Sequence, residues 1–486
     1  MDADGGAGRE YVVKSGKREV VAAPLPMQEH WLPLSNLDLL LPPLDVGVFF
    51  CYANPTTTAS QRLGYGSVVG VLKAALTQAL VSYYALAGEV VQNSAGEPEL
   101  LCNNRGVDFI EAFVDVELRH LNLYNPDDTV EGKLVPTKKR GVLAVQATEL
   151  KCGGIVVACM FDHRIADAYS VNMFMVFWVQ TARTAAPISL PPSFCHSLLN
   201  PRHPLCFDPS LDCMYIPVSA LYPPPNHKLQ VDEQCETVTL RDNDRLLSHL
   251  YYVTAAKLSE LQQSACSNGS NSTKLESFSA FLWRMVAESS VVDNDDNKTM
   301  SRMGIMVDGR CRLMSQGKDN KPTPMSSYFG NVLSVPFGEK RVREVVEKPL
   351  SWVADVVHEF VERAATKEHF LDLVDWVEEH QPVPALARIF CKPVIEEEED
   401  GSTALVVSFG QRFPVIEMDF GWGKPVLESY HFPWGSKAGY VMPMPSPLSN
   451  GDWVVYLHLP RSEVAFIKSH APTVFRPLIP HHLNLL

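Results

Sequence analysis

The stretch CGGIVVACMFDHRIAD, residues 152–167, decides most of what this chain can be. An apolar run typical of a buried strand, Gly154 to Phe161, leads directly to His163, and Asp167 follows four positions later. Histidine is the usual general base near neutral pH. The chain has 15 histidines, so about one His-x-x-x-Asp spacing is expected by chance. His163 is therefore either a satisfied core side chain or a base that faces a cleft.

Length and composition limit the class of protein. A chain of 486 residues with 46% apolar residues predicts two domains with cores of ordinary size. The formal charge of -14 argues against a nucleic-acid surface, which needs clustered lysine and arginine. The eleven cysteines are scattered and include no Cys-x-x-Cys pair. They predict neither a disulfide framework nor a zinc knuckle. No metal site is expected.

The N-terminal ten residues, MDADGGAGRE, are polar and acidic. They lack the basic start and apolar segment of a secretory signal. No uninterrupted apolar stretch reaches the length that spans a bilayer. The expectation is a cytoplasmic, monomeric protein that binds no membrane.

The first half of the chain mixes helical and strand patterns. Apolar residues from Val68 to Leu86 recur at helical spacing. Strand-like runs occur at Glu99 to Cys102, Gly141 to Gln146 and Gly154 to Phe161, and a second helix is predicted from Ser170 to Ala182. This alternation favours an α/β fold.

A proline-rich segment separates the two halves. Ten prolines lie between Pro187 and Pro225, a density that excludes regular helices and central strands. The predicted organisation is an N-terminal domain over 1–190, a crossover linker over 191–226 and a C-terminal domain over 227–486.

The second half shows the same mixture. Thr254 is a predicted N-cap for a helix from Ala255 to about Ser264. Further helices are predicted at Glu276 to Ala287 and Ser351 to His380, and strands between Ala404 and Leu459. The acidic run Glu396 to Asp400 is interpreted as a solvated turn.

A second unusual string, DFGWGKP, occupies residues 419–425. Together with His163 and Asp167, it resembles the BAHD acyl-CoA-dependent acyltransferases of plants. Other strings in the family's order are SAFLWR from Ser279, VDGR ending at Arg310 and YFGN ending at Asn331. The resemblance covers nearly the whole chain.

The resemblance implies two similar-sized mixed-sheet domains flanked by helices, as in chloramphenicol acetyltransferase, with the active-site channel between them. It implies that His163 takes a proton from an acceptor hydroxyl or amine, which attacks the thioester of acyl-CoA without an acyl-enzyme. Asp167 then either orients the imidazole or pairs with Arg310 to fix the loop. Acyl-CoA is a co-substrate in this scheme, not a resident cofactor.

Further site residues follow from the same resemblance. Ser408 is either a donor to the developing oxyanion or an ordinary strand serine. Thr273 and Lys274 are candidate contacts to coenzyme A. The last group belongs to the DFGWG string, which carries Asp419 as a motif residue with a structural role, Phe420 and Trp422 as packing residues, and Gly421 and Gly423 for unusual backbone angles.

The chain departs from the family pattern at several positions. Ala168 follows the aspartate where glycine is common, and Ala85 and Glu89 replace a proline and an arginine. Gly410 stands where an aromatic residue is common beside the acceptor pocket. The departure at Gly410 weakens any acceptor assignment by analogy.

Three functions remain open at this point. The first is O-acylation of a phenylpropanoid alcohol such as coniferyl alcohol, because the opening string PMQEHWLPLSNLD and the His163 segment look most like such members. The second is N-acylation of an amine, because the acidic run Glu396 to Asp400 would suit a cationic polyamine if it lined the acceptor mouth. The third is noncatalytic binding of acyl-CoA. A serine hydrolase is disfavoured because the chain has no Gly-x-Ser-x-Gly string, and a kinase because no glycine-rich phosphate loop is present.

Overall fold

The computed structural model describes residues 11–24, 27–53, 55, 63–94, 96–184, 190–217, 245–266, 269, 271–291, 299–314, 324–381, 385–391, 402–408, 417–433 and 438–485. Gly410 and the acidic run Glu396 to Asp400 lie outside the described residues.

The strands are β1 (Val13–Val21), β2 (His30–Pro33), β3 (Asp45–Tyr52), β4 (Glu89–Gln92), β5 (Pro98–Cys102), β6 (Val107–Val114), β7 (Leu143–Leu150), β8 (Ile155–Asp162), β9 (Tyr215–Pro217), β10 (Leu246–Val253), β11 (Met300–Ile305), β12 (Val307–Asp308), β13 (Leu333–Ser334), β14 (Phe337–Arg341), β15 (Ala385–Ala387), β16 (Thr403–Val407), β17 (Leu427–His431), β18 (Gly439–Pro445), β19 (Trp453–Pro460) and β20 (Arg476–Pro477). The helices are α1 (Tyr65–Ser82), α2 (Pro126–Thr129), α3 (Ala168–Arg183), α4 (Ala255–Ala265), α5 (Lys274–Val291), α6 (Arg310–Leu313), α7 (Val342–Glu347), α8 (Leu350–Ala364), α9 (Lys367–His380) and α10 (Arg461–His470).

The first large sheet has six strands in the order β1-β6-β7-β8-β3-β17. It is mixed, because β6 and β7 are parallel while the other neighbouring pairs are antiparallel. The central strand β8 is almost wholly buried, which explains its continuous apolar sequence. Helices α1 and α3 pack together beside it, and Trp178 of α3 donates a hydrogen bond to the carbonyl of Leu72 in α1.

Helix α1 is the one described helix that is long and apolar enough to cross a membrane by length and composition. Its residues Val68, Leu72, Leu76 and Leu80 are completely buried in the protein core. Packing inside the core therefore accounts for its apolar side.

The second large sheet has seven strands in the order β14-β11-β16-β18-β19-β10-β20. It is also mixed, with β11, β16 and β18 parallel to one another. Helices α4, α5, α8 and α10 pack together on it around Trp283, which is fully buried and donates to the hydroxyl of Ser301. The predicted fold class is confirmed: the chain forms two mixed sheets flanked by helices.

One strand connects the two halves of the chain. Strand β17 follows the second-half strand β16 in sequence but pairs with β3, so that His431 lies opposite Gly47. A Cβ atom at Gly47 would lie 2.8 Å from the Val135 side chain and 3.1 Å from the His431 carbonyl. Glycine therefore lets the crossing strand approach closely.

The predicted domain limits stay predictions. The predicted linker includes 3-10 turns at His196–Leu199 and Pro209–Cys213.

Most predicted elements are present within a few residues of their expected limits. Thr254 caps α4 as predicted, since its side chain accepts a hydrogen bond from the Lys257 amide. The helical stretch predicted from Ser351 to His380 is present as two helices, α8 and α9. The chain leaves the helix at Ala365, and Thr366 caps a new helix by accepting from the His369 amide at 3.1 Å.

Candidate active site

His163 lies just beyond the end of β8, where the strand pairing with β3 stops. Its backbone amide donates to the Leu44 carbonyl at 2.9 Å. One residue earlier, the Asp162 carboxylate accepts two hydrogen bonds from the Arg164 guanidinium, at 2.9 and 2.6 Å. These contacts fix the turn that presents the imidazole.

The imidazole lines a cavity of about 320 Å³ between the two sheets. Phe161, Val46 and Tyr430 come from the first sheet and Ile305 and Met442 from the second. The polar lining side chains are those of His163, Tyr169, Asn172, Tyr215, Asp308, Cys311, Arg312, Ser408, Tyr430 and Tyr440. The lining is predominantly apolar, as expected for a small-molecule site.

Burial lowers the pKa of His163 below its ordinary value of 6.5, while its own backbone carbonyl, Asp167, Asp162 and Asn331 act in the opposite direction. The ring nitrogen Nδ1 is buried and has no hydrogen bond of normal geometry within the described residues. The ring is therefore neutral at pH 7 and is able to accept a proton.

Asp167 is fully buried and turns toward Arg310. Its two carboxylate oxygens accept from Nη1 and Nη2 of Arg310 at 2.7 and 3.1 Å. They also accept hydrogen bonds from the Ser170 amide at 2.9 Å and from the Val332 amide at 3.1 Å. The bond from Ser170 makes Asp167 the N-cap of α3. The expected bidentate pair is present, so this carboxylate anchors the loop after His163.

Arg310 extends the same network into the second half of the chain. The guanidinium, only 1% exposed, donates to the Gly330 carbonyl at 2.8 Å and to the Ser170 hydroxyl at 3.0 Å. It also lies 4.5 Å from the centre of the Tyr169 ring. A single buried cation thus joins the start of α3 to the loop before β13.

Two buried polar residues that the sequence analysis left without a role support the His163 loop. The Asn331 amide group donates to the carbonyls of His163 and Arg164 at 3.0 and 3.1 Å. It also donates to Asp38 at 2.8 Å, and Asp38 accepts from the Ser35 hydroxyl at 2.6 Å. Both lie in strings quoted for the family resemblance, which was the available sequence signal.

Ser408 follows β16 and reaches the same cavity. It is 8% exposed, and its amide donates to the Val441 carbonyl at 2.8 Å. Burial raises the pKa of the Tyr440 phenol, and a hydrogen bond with Ser408 acts in the opposite direction. Ser408 therefore lies in the wall that also contains His163.

The 419–423 segment forms a separate turn. One oxygen of Asp419 accepts from the amides of Gly421 and Gly423 at 2.8 and 2.9 Å, and both glycines have positive φ, at 107° and 104°. The rings of Phe420 and Trp422 stack 5.2 Å apart. None of these residues is among the described lining of the cavity.

Thr273 and Lys274 are exposed at the start of α5. Thr273 forms a capping box with Glu276, because its hydroxyl accepts from the Glu276 amide at 3.2 Å and its amide donates to the Glu276 carboxylate at 2.7 Å. The next residue, Leu275, lines the cavity. The two residues therefore lie near its rim, and their contact with coenzyme A stays a prediction.

A family model described as the Transferase family matches residues 11–473. The chain belongs to this family, the BAHD acyltransferases. Omega-hydroxypalmitate O-feruloyl transferase of Arabidopsis thaliana is 26% identical over 407 residues, which cover 81% of this chain and 79% of that protein. Putrescine hydroxycinnamoyltransferase of Oryza sativa subsp. japonica is 26% identical over 453 residues, covering 87% and 90%. O-acyl and N-acyl transferases thus occur among the relatives of this BAHD protein.

The crystal structure of vinorine synthase superposes with a TM-score of 0.67. The match covers 96% of this chain and 98% of that chain at 19% sequence identity. At this identity, the likeness supports the fold of the BAHD chain and leaves its substrates open.

Proposed function

We propose that this acyltransferase moves an acyl group from acyl-CoA to the hydroxyl of a small plant metabolite, with a phenylpropanoid alcohol as the leading acceptor. The observation that carries the proposal is the position of the His163 imidazole in the wall of the cavity between the two sheets. A base in this place can reach an acceptor that enters the cavity and meets a thioester there.

The proposed reaction is a direct transfer. The imidazole takes the proton of the acceptor hydroxyl as its oxygen bonds to the thioester carbonyl carbon. The C–S bond then breaks, and the CoA thiolate leaves and takes the proton from the imidazolium. The Ser408 hydroxyl is proposed to donate to the oxyanion that forms in between.

The cavity lining favours an uncharged acceptor. Asp308 and Arg312 are the charged side chains among the described lining residues, and Asp308 accepts a hydrogen bond from the Arg310 side chain at 3.3 Å. Apolar and aromatic side chains form most of the remaining wall. An aromatic or aliphatic alcohol fits this surface better than a polyamine does, because burying an unpaired ammonium is costly.

An amine acceptor is the second candidate. The carboxylate of Asp308 in the cavity wall offers one site for an ammonium group, and the relatives include a putrescine hydroxycinnamoyltransferase. The acidic run proposed to attract a cationic acceptor lies outside the described residues.

The test is a matrix of acetyl-, benzoyl- and hydroxycinnamoyl-CoA against alcohols and amines, with release of free thiol as the readout. Products formed only with alcohols support the first candidate, and products formed only with amines support the second. If no combination of acyl-CoA and acceptor releases free thiol, both candidate functions are contradicted. Noncatalytic binding of acyl-CoA is then the remaining function.

The base is tested in the same assay. His163→Ala should lower the rate by roughly 10²–10⁴-fold. The matched control is His249→Ala, which removes a half-buried imidazole outside the described cavity lining and should leave the rate within about threefold of the parent. A parent-like rate in His163→Ala contradicts the assignment.

A further inference from the structure

A second cluster of ionisable side chains lies away from the cavity. Asp127 in α2, Glu131 just after α2, and His431 at the end of β17 each place one ligand atom within 4.8 Å of the other two. None of the three belongs to the described cavity lining. The cluster therefore takes no part in the chemistry proposed above.

His431 is the unusual member of this cluster. The residue is 1% exposed, and neither ring nitrogen has a hydrogen-bond partner within the described part of the chain. Nε2 lies 3.9 Å from a carboxylate oxygen of Glu131, too far for a hydrogen bond. A buried polar group without a partner costs about 1–3 kcal/mol, so the geometry calls for another ligand of the ring.

Asp127 is also incompletely paired. One of its carboxylate oxygens accepts from the Ser248 amide of β10 at 2.7 Å, and the other is buried without a hydrogen-bond partner among the described residues. Two carboxylates thus face each other beside a buried imidazole. Coulomb repulsion between the carboxylates would be removed by a cation held between them.

The geometry points to a structural site for a divalent transition-metal cation, with Zn²⁺ as the ion that fits best, bound by Asp127, Glu131 and His431. One nitrogen and two carboxylate oxygens leave a fourth tetrahedral position for water. A metal ion binds the lone pair of a ring nitrogen, and neither nitrogen of His431 is engaged in a hydrogen bond among the described residues.

The position of the cluster gives the site a mechanical role. The cation would join α2 to the crossing strand β17, and Asp127 already contacts β10 of the second sheet. The residue after His431 is Phe432, which lines the cavity with its ring 6.2 Å from that of His163. A bound cation would therefore stabilise the strand that carries one wall of the cavity.

The experiment uses the full-length protein after dialysis against a chelator. Zn²⁺ is titrated in competition with a chromophoric chelator, and thermal unfolding is followed with and without Zn²⁺. The test variants are Glu131→Gln, whose side chain is 53% exposed and whose change should leave folding intact, and Asp127→Asn. The control is Glu117→Gln, because His120 and Glu117 form a surface pair with the same 3.9 Å separation.

The expected result is one equivalent of Zn²⁺ that raises the unfolding midpoint of the parent and of Glu117→Gln. Affinity should fall by at least roughly tenfold in Glu131→Gln and Asp127→Asn. Co²⁺ bound in place of zinc should show no thiolate charge-transfer band, which excludes the exposed cysteines as ligands. Absence of saturable binding, equal affinity in folded Glu131→Gln and the parent, or a thiolate band would overturn the proposal.

Discussion

Replacing Asp167 by asparagine should destabilise the protein strongly, because it removes the nearer counter-charge of the buried Arg310 guanidinium and leaves the partly exposed Asp308 carboxylate, 3.3 Å away, as the remaining one among the described residues. Asp167 is fully buried and accepts four hydrogen bonds, two of them from Arg310, which is itself 1% exposed. Asparagine keeps one acceptor oxygen and turns a new N–H group toward donors. Loss of one partner of a buried ion pair costs about 3–5 kcal/mol, and we expect the free energy of unfolding to fall by that amount.

The chain offers a matched control one residue before His163. Asp162 pairs with Arg164 in the same bidentate manner, but the Arg164 side chain is 20% exposed, so that water can solvate it. Asp162 itself is only 5% exposed, so Asp162→Asn should still cost roughly 1–2 kcal/mol, which is less than the expected cost of Asp167→Asn. Urea unfolding of both variants, followed by circular dichroism, measures the difference directly.

The acyl-transfer assay adds an independent readout. The Asp167 charge raises the pKa of His163, although burial has the larger and opposite effect. The acidic inflection of the rate should therefore move to lower pH in Asp167→Asn. If Asp167→Asn proves as stable as Asp162→Asn, the buried pair does not hold the loop, and the anchoring role is refuted.

Further predictions concern the acid–base groups and the oxyanion donor. The transfer rate should rise with pH through an inflection below pH 6.5, because burial lowers the pKa of His163 and only the neutral ring accepts a proton. Measuring kcat/KM between about pH 5 and about pH 8 checks this prediction. Ser408→Ala should lower kcat by roughly 10²-fold with little change in KM, and steady-state kinetics with an unchanged kcat would exclude the hydroxyl as donor. Burial raises the pKa of Glu463 to about 8 from 4.5, so its contribution to stability is complete below pH 4.5 and is lost as pH rises toward 8. Relative to the parent, Glu463→Gln should therefore gain about 3 kcal/mol of unfolding free energy between about pH 5 and about pH 8.

Local patterns in the sequence determined the elements around the base. The apolar run before His163 specified β8, and helical spacing specified α1 and α3, because hydrophobic periodicity reports the buried face of each element. Thr254 marked a helix start through a side chain that bonds only a few residues away. The 152–167 stretch therefore indicated both the fold class and the candidate base.

The tertiary structure alone decided the contacts between distant segments. Asn331 supports the His163 loop across 168 positions, and Asp127 meets His431 across the fold through the crossing strand β17. Such contacts depend on strand register and on the hydrogen bonds that buried polar atoms form. Neither of these produces a periodic pattern in the sequence. The sequence therefore determined which local elements form and which residue is the candidate base, while the packing of those elements determined what surrounds it.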